Sequence, residues 1–335
     1  MPTRTPFLAP PGVPMRKDDE VMDQDTPAGA HASQDGEMPG DTSLEPLLDI
    51  IRQKHGDSIL AILVYGSWLR GKRDTMLDFY VLLDGYSTLE ASWQGWLCRL
   101  LPPNVYHICQ PADPAGDIPE LRAKYALLTL EGFCHAVRAD FHSYFWARFA
   151  QPCKILYARD DATRDDLHAA FDDAAATFIK KVLPVMAERF SSDDLWIRGF
   201  SLTYQCELRT EGSDHASSIY AFNRVFYDRV LQDFSGRNEQ VSSPDTAGGY
   251  RNQSNRLSRK LSTLRWGTRR IQGKMLSALR LFKAAFTFND PLEYLLWKIE
   301  RHSGLYIEPT PRQLKHPLIF AWPLLWKLRK QGAFR

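Results

Sequence analysis

The spacing of apolar residues changes near residue 160, and this change separates two kinds of predicted structure. Before it, short apolar runs predict buried β-strands at Ile59–Tyr65, Asp78–Leu83, Val105–Cys109, Lys124–Leu130 and Lys154–Tyr157. Helical spacing between these runs predicts helices over Ser43–His55, Ser87–Leu101 and Glu131–Phe149. Strands that alternate with helices favour an α/β fold, so we expect a mixed sheet with helices over residues 45–160.

After residue 160 the pattern is mostly helical. Apolar residues recur at helical spacing in Asp165–Arg189, Ser191–Leu208 and Ser217–Asp233, which predicts a smaller helical domain over 161–236. The polar segment 237–255 contains two adjacent glycines and is predicted to be a linker. Residues 1–44 are rich in Pro, Gly, Asp and Ser, so we expect a disordered leader there.

The last segment, 256–335, combines apolar and basic residues at helical spacing. This pattern predicts a basic amphipathic tail, with a break in its first helix near Gly267. Four of the nine tryptophans lie in the tail, and tryptophan is typical of the interfacial zone of a bilayer. We therefore expect the tail to dock on an anionic membrane surface.

The charges are distributed unevenly along the chain, although the net charge is only +2. From Arg251 onward there are 18 Lys and Arg against 4 Asp and Glu, whereas residues 1–250 carry 24 basic and 36 acidic residues. Such polarity indicates a polyanionic partner for the tail, either membrane lipid or nucleic acid. The acidic balance of residues 1–250 and the lack of a recognised binding motif argue against nucleic acid.

No window is long and apolar enough for a membrane-spanning helix, and the N-terminus lacks the apolar core of a signal peptide. We therefore expect a cytoplasmic protein of bacterial type that lies peripherally on the inner face of the cell membrane. The five cysteines are scattered without zinc spacing, which favours reduced thiols.

The candidate chemistry lies between the first two predicted strands. Gly66 allows a close backbone approach to a ligand, and Ser67 with nearby N–H groups can hold phosphate oxygens. Asp78 begins the next strand and could hold a Mg²⁺ ion that bridges those phosphates. The alternative interpretation is a simple β-hairpin in which Asp78 is an ordinary residue at the end of a strand.

This arrangement resembles the core of the nucleotidyltransferase superfamily, in which a Gly-Ser turn precedes Asp-x-Asp. Here the second Asp is replaced by Tyr80. The segments Tyr65-Gly66-Ser67 and Met76-Leu77-Asp78-Phe79 resemble the mitochondrial-type phosphatidate cytidylyltransferases, the translocator assembly and maintenance family, which also lack that carboxylate. Further similar segments follow in the same order, namely Lys124-Tyr125, Arg148-x-x-x-Pro152-x-Lys154-Ile155, Asp193-Asp194-Leu195 and Leu202-x-Tyr204-x-x-Glu207-x-Arg209.

The resemblance covers roughly residues 55–235 and implies a nucleotidyltransferase fold followed by a winged-helix-like domain. It also implies the reaction of CTP with phosphatidic acid to give CDP-diacylglycerol and pyrophosphate, with Mg²⁺ as the cofactor. Carried onto this chain, it assigns triphosphate binding to Gly66 and Ser67, and metal binding to Asp78 and Glu207. It assigns phosphate neutralisation to the basic residues Lys124, Arg148, Lys154 and Arg209, and makes Asp78, Ser67 and Lys124 the catalytic set.

Simpler roles remain open for several of these residues. Lys124 and Lys154 could be solvated lysines, Arg148 could pair with a structural acid, and Glu207 with Arg209 could form a local ion pair. Tyr65, Phe79 and Tyr80 are expected to be packing residues. At the level of function, the alternatives are a nucleotidyltransferase acting on RNA, a protein or a small molecule, a non-catalytic membrane-attached scaffold, and a nucleic-acid-binding protein.

Overall fold

The computed structural model describes residues 44–71, 76–86, 93–111, 120–208, 213–242, 244, 246 and 248–287. The predicted leader up to residue 43 and the tail from residue 288 onward lie outside these residues.

A five-stranded mixed sheet with the strand order β3–β4–β2–β1–β5 is the centre of the fold. β1 (Ile59–Tyr65) is antiparallel to both of its neighbours, β2 (Leu77–Leu83) and β5 (Cys153–Ala158). β2 is parallel to β4 (Leu121–Thr129), which is antiparallel to the edge strand β3 (Asn104–Gln110). The central strands are apolar on both faces because helices cover the sheet on both sides. The predicted mixed α/β architecture is confirmed.

The two faces of the sheet belong to two separate hydrophobic clusters, since successive side chains on a strand point to opposite faces. On one face, Phe79 and Val81 pack in a cluster with Ile51 of α1 (Glu45–His55). On the other face, Tyr80 belongs to a larger cluster that includes helical residues. We call the first the α1 face and the second the helical face.

The other helices come after β2 along the chain. They are α2 (Trp93–Leu100), α3 (Leu130–Ala139), α4 (Trp146–Phe149), α5 (Asp161–Val182), α6 (Ser192–Tyr204), α7 (Ser213–Phe222), α8 (Arg224–Arg237) and α9 (Arg256–Thr287). The cluster on the helical face extends from Ala61 in the sheet to Trp266 in α9. The sheet and the helices after residue 160 therefore share one hydrophobic core.

The helix predicted over Glu131–Phe149 is interrupted, because α3 ends at Ala139 and α4 begins only at Trp146. Hydrogen bonds from side chains to the backbone between α3 and α4 stabilise this interruption. Trp146 Nε1 donates to Asp140 O (3.1 Å), and Arg269 Nε donates to Phe141 O (2.6 Å). These carbonyls are therefore satisfied without a helix.

The predicted break near Gly267 was wrong, since α9 is continuous from Arg256 to Thr287. The residues on either side of this glycine explain why. Trp266 and Arg269 are both buried against the body of the protein, with 4% and 2% of their surfaces exposed, so packing stabilises the helix through the glycine.

The segment predicted as a linker contains a short strand, β7 (Tyr250–Arg251), which pairs antiparallel with β6 (Arg189–Phe190). Asn252, which follows β7, is buried and donates from Nδ2 to Leu183 O (2.8 Å) and to Met186 O (3.1 Å). The segment predicted to be a linker thus contains a buried side chain, and its hydrogen bonds hold the segment against the end of α5.

Candidate functional site

Three polar side chains lie in one row across the helical face of the sheet. The register pairs Tyr65 with Asp78 between β1 and β2, and Asp78 with Lys124 between β2 and β4. Directly paired residues point to the same face of a sheet, so the three side chains stand side by side. Lys124 Nζ lies 3.0 Å from Asp78 Oδ1 and forms an ion pair with it. The side chains of Asp78 and Lys124 are 22% and 39% exposed, so solutes can reach the pair.

The Gly66 turn lies directly beside Asp78. Gly66 has a φ of +94°, a backbone conformation that residues other than glycine rarely adopt. A Cβ at this position would lie 3.4 Å from Asp78 Oδ2. Ser67 precedes a short 3₁₀ turn, Trp68–Arg70, and its carbonyl accepts from Arg70 N (3.1 Å). The predicted proximity of the turn and the carboxylate is therefore present.

A second ion pair joins Arg148 of α4 to Glu207, which follows α6. Arg148 Nη2 lies 3.0 Å from Glu207 Oε2, and both side chains are nearly buried, at 11% and 13% exposed. Arg148 Nη1 also donates to Tyr144 O (2.7 Å), and its guanidinium carbon lies 3.7 Å from the centre of the Tyr144 ring. Burial by itself would lower the pKa of Arg148, but Glu207 and the surrounding tyrosines raise it well above its usual range. Arg148 is therefore a permanent buried cation.

Two tyrosines lie between the ion pairs. The ring of Tyr80 lies 5.2 Å from that of Tyr65 and 4.9 Å from that of Phe149. Burial and the charge of Asp78 raise the pKa of Tyr65, whereas the charges of Arg148 and Lys124 oppose that rise. Residues from both ion pairs therefore act electrostatically on the Tyr65 hydroxyl group. Tyr80, two residues after Asp78, is fully buried, so the position of the second carboxylate in Asp-x-Asp is part of the core here.

Not every predicted site residue joins this cluster. Lys154 is buried, but it pairs with Val64, and Val64 belongs to the α1 face. Lys154 therefore points to the side of the sheet opposite to Asp78, and the structure does not bring it into this cluster. Arg209 lies outside the described residues.

The donor set for Mg²⁺ is small. In the part of the chain that the structure describes, no group of three or more His, Cys, Asp or Glu side chains could hold a metal ion. Asp78 is paired with Lys124, and Glu207 with Arg148. Mg²⁺ often binds through one or two carboxylates together with substrate phosphates and waters. Asp78 fits that kind of site, with a phosphate chain supplying most of the oxygen ligands.

Sequence reasoning missed two residues near Arg148, namely Arg280 and His142. Arg280 of α9 stacks on the ring of Tyr144, the same ring that Arg148 contacts. Its guanidinium carbon lies 4.0 Å from the centre of that ring. His142 lies 3.1 Å from Asp140, yet burial and the neighbouring arginines lower the pKa of His142 to about 4. No sequence signal places α9 here, because Arg280 is one of many basic residues in the tail.

The outward side of α9 is apolar. Six large apolar residues at helical spacing are exposed, and we call them the outer stripe: Leu257, Leu261, Leu264, Ile271, Met275 and Leu279. Exposed basic residues lie beside it, namely Arg256, Lys260, Arg265, Arg270 and Lys274. The sequence of α9 contains no acidic residue. The outer stripe is therefore an apolar surface whose charged neighbours on α9 are all basic.

Two further observations complete the description of the site. Among the described helices, none is both long and apolar enough to cross a bilayer. In comparisons with known proteins, no family model matches the chain, and no curated protein sequence matches it.

Proposed function

We propose that this protein is a nucleotidyltransferase of the phosphatidate cytidylyltransferase type, which forms CDP-diacylglycerol and pyrophosphate from CTP and phosphatidic acid. One observation carries the proposal. The Gly66 turn, with its positive φ, lies against the Asp78 carboxylate, and the same carboxylate is paired with Lys124 on the next strand. The ordered sequence resemblance to that family supports the choice of substrates. A nucleotidyltransferase-like sheet with a winged-helix-like second domain is part of the same proposal.

The reaction is an in-line displacement. A phosphate oxygen of phosphatidic acid attacks the α-phosphorus of CTP, a new P–O bond forms, and the bond to the β-phosphate oxygen breaks, releasing pyrophosphate. The attacking oxygen is already ionised near neutral pH, so no strong general base is required. A single carboxylate is then sufficient, and the remaining task is to position and neutralise the phosphates.

The residues of the cluster suit this task. Gly66 and Ser67 would offer backbone N–H groups to the triphosphate, and Asp78 would hold Mg²⁺, which supplies charge neutralisation when it is bound. Lys124 would exchange its contact with Asp78 for a phosphate oxygen when Asp78 holds Mg²⁺. Arg148, held by Glu207 and Tyr144 O, would contribute a fixed positive charge.

The outer stripe supports a lipid acceptor. An apolar face with basic flanks is typical of helices that lie in the membrane interface. Each basic residue near an anionic membrane contributes about 1 kcal/mol of attraction. Peripheral attachment through α9 would bring the site to a substrate that cannot be drawn from water.

The proposal is tested with purified full-length protein, labelled CTP, Mg²⁺ and phosphatidic acid in detergent micelles. We expect labelled CDP-diacylglycerol, and we expect Asp78→Asn to lower its rate of formation by about 100-fold or more. The matched control is Asp84→Asn, because Asp84 is an exposed carboxylate just after the same strand, and it is expected to retain the wild-type rate.

Two results would contradict the proposal. One is the absence of any CDP-diacylglycerol, and the other is a rate that Asp78→Asn leaves unchanged. Transfer of the label to RNA, to a protein or to a small molecule under the same conditions would indicate a nucleotidyltransferase with another acceptor. Absence of all transfer, with vesicle binding retained, would favour a non-catalytic scaffold.

A further inference from the structure

Helix α9 contributes Arg280 to the buried cluster around Arg148. The two guanidinium carbons lie 3.7 Å and 4.0 Å from the centre of the same ring, Tyr144, so they are within about 8 Å of each other. Each arginine is also fixed by a backbone carbonyl. Arg148 Nη1 donates to Tyr144 O (2.7 Å), and Arg280 Nε donates to Pro102 O (3.0 Å). Both guanidinium groups are thus held in place before any ligand arrives.

The cluster contains more positive than negative charge. Among the described residues, the carboxylates of the cluster are Glu207, which pairs with Arg148, and Asp140, which lies beside His142 and interacts electrostatically with Arg280. The arginines that act on His142 are Arg148, Arg269 and Arg280. Within the described residues, Arg280 has no carboxylate oxygen within ion-pair distance. Burial and the charge of Arg148 lower the pKa of Arg280, whereas Tyr144, Tyr80 and Glu207 raise it. Placing two buried cations together costs free energy unless an anion joins them.

The hydrogen-bonding capacity of the cluster is also incomplete. Arg148 Nε is buried and has no hydrogen-bond partner in the described part of the chain. A buried N–H without an acceptor is costly, so such groups generally have a partner in the working state of a protein. Planar guanidinium groups match phosphate geometry better than any other side chain. A phosphate oxygen would satisfy Arg148 Nε and complete the charge balance with Arg280.

We propose that Arg148 and Arg280 together bind a substrate phosphate, so that α9 is part of the binding site as well as the carrier of the outer stripe. The inference rests on the proposed function for the identity of that phosphate, which belongs either to the nucleotide or to the phosphomonoester acceptor. It makes Arg280 a substrate-binding residue. It also joins the two roles of α9 in one rigid helix, since Arg280 and the exposed Leu279 are adjacent.

The test measures anion binding without turnover, by titration calorimetry on the full chain with inorganic pyrophosphate, CTP and glycerol 3-phosphate. We expect Arg280→Gln to weaken binding of at least one of these anions by about tenfold or more. Arg280→Lys keeps the charge but loses the fork geometry, and a loss of several-fold is expected. Arg229→Gln removes an exposed arginine of α8 and controls for net charge, with affinity expected to stay within about twofold of wild type.

The pattern of losses identifies the source of the phosphate. Weaker pyrophosphate and CTP binding with unchanged glycerol 3-phosphate binding assigns the arginine pair to the nucleotide, and the reverse pattern assigns it to the acceptor. Unchanged affinities in both Arg280 variants, or a wild-type protein that binds none of the three anions, would overturn the inference. Thermal unfolding of each variant reports folding, and if Arg280→Gln does not unfold cooperatively, the Arg280→Lys result decides.

This test separates the inference from the proposed function. Loss of anion binding in the Arg280 variants of a protein that transfers no cytidylyl group would support the binding pair and reject the reaction. Normal anion binding in those variants of an active enzyme would reject the binding pair and leave the reaction intact.

Discussion

Tyr80 shows how a single residue decides what the site can do. It stands two positions after Asp78, on the same face of β2, where a second carboxylate would bind metal in the Asp-x-Asp pattern. Its ring packs on Phe149 and Tyr65, and its hydroxyl makes no well-formed hydrogen bond within the described residues. Burial, with Tyr144 and Tyr65 nearby, raises the pKa of Tyr80 well above its usual range, so the hydroxyl stays protonated.

We expect Tyr80→Phe to leave the free energy of unfolding unchanged or to raise it by up to about 1 kcal/mol, because the substitution removes a buried polar group without a good partner. Tyr125→Phe is the matched control on the adjacent strand. The Tyr125 hydroxyl lies 3.0 Å from His55 Nε2, and its loss is expected to cost about 1 kcal/mol. Denaturant unfolding measures both, and a larger loss for Tyr80→Phe than for Tyr125→Phe would contradict this account.

The structure brings some of the predicted site residues together and leaves others apart, and strand pairing explains the difference. Gly66 and Asp78 come together because β1 and β2 are consecutive antiparallel strands, whereas Lys124 joins them through the parallel pairing of β2 with β4. Lys154 does not join them, because Cys153 pairs with Tyr65 in the row of Asp78, and the next residue along the strand, Lys154, points to the opposite face. Spacing along one strand contains no information about which of its residues pairs with Tyr65.

At the scale of elements, α9 is the helix whose surface differs most from the expected one. Its inward side carries Trp266, Arg269 and Gly273, and its outward side carries the outer stripe. Arg269 is enclosed by aromatic rings, with its guanidinium carbon 4.4 Å from the centre of the Trp266 ring and 4.7 Å from that of Phe141. Burial lowers the pKa of Arg269 to about 10. The helix therefore docks through cation–π contacts and leaves its apolar side chains exposed.

Two glycines of α9 give a matched test of this docking. A Cβ on Gly273 would overlap the carbonyl oxygen of Cys206, whereas a Cβ on Gly267 would meet nothing within 4 Å. We expect Gly273→Ala to lower the free energy of unfolding by about 1–3 kcal/mol through this clash. Gly267→Ala should raise it by up to about 1 kcal/mol, because alanine is the better helix former. Equal effects of the two substitutions in thermal unfolding would show that the helix does not pack on Cys206.

The outer stripe is tested by vesicle flotation. The double substitution Leu264→Asp and Ile271→Asp changes two side chains that are 69% and 73% exposed, so folding should tolerate it. We expect binding to phosphatidylcholine vesicles that contain phosphatidic acid to fall by about tenfold or more, since apolar insertion is lost and negative charge is added. Val225→Asp alters an equally exposed residue of α8 and is the control. Undiminished binding of the double variant would exclude the stripe as the docking surface.

The predicted elements agree best with the structure where local pattern is sufficient. The apolar run Ile59–Tyr65 forms β1 without change. The helix expected over Ser217–Asp233 is instead two helices that meet at Asn223, and both extend beyond the predicted bounds. Contacts from distant residues help to end α3 and to stabilise α9 through Gly267. Arg269 bonds to Phe141 O across 128 positions, and Trp266 bonds to Lys181 O across 85 positions. A sequence pattern contains no record of such partners.

At the scale of the whole molecule, buried histidine couples folding to pH. Burial, with a smaller effect from Lys54, lowers the pKa of His55 from 6.5 to about 4. Between pH 6.5 and 4 the unfolded chain therefore binds a proton that the folded protein does not bind, so stability falls as the pH falls through this window. His55 alone is expected to contribute about 2 kcal/mol of that loss between pH 7 and pH 5.

The measurement is denaturant unfolding at the two pH values. His55→Gln should flatten the pH dependence by about this amount, whereas His135→Gln, which removes an exposed histidine, should leave it unchanged. A slope that His55→Gln does not alter would mean that other groups account for the acid sensitivity.

The continuity of the hydrophobic cluster from the sheet to Trp266 sets a lower limit on any fragment that can be studied alone. A fragment cut at residue 160 would keep Asp78 and Lys124 but would remove Phe171 and Phe178 of α5. The rings of Phe133, Trp146 and Phe149, which pack on them, would then be exposed to water. Exposed apolar surface of that extent promotes aggregation. Biochemistry on the sheet alone would therefore fail for reasons of solubility, and a minimal soluble version must retain the chain through the first turns of α9.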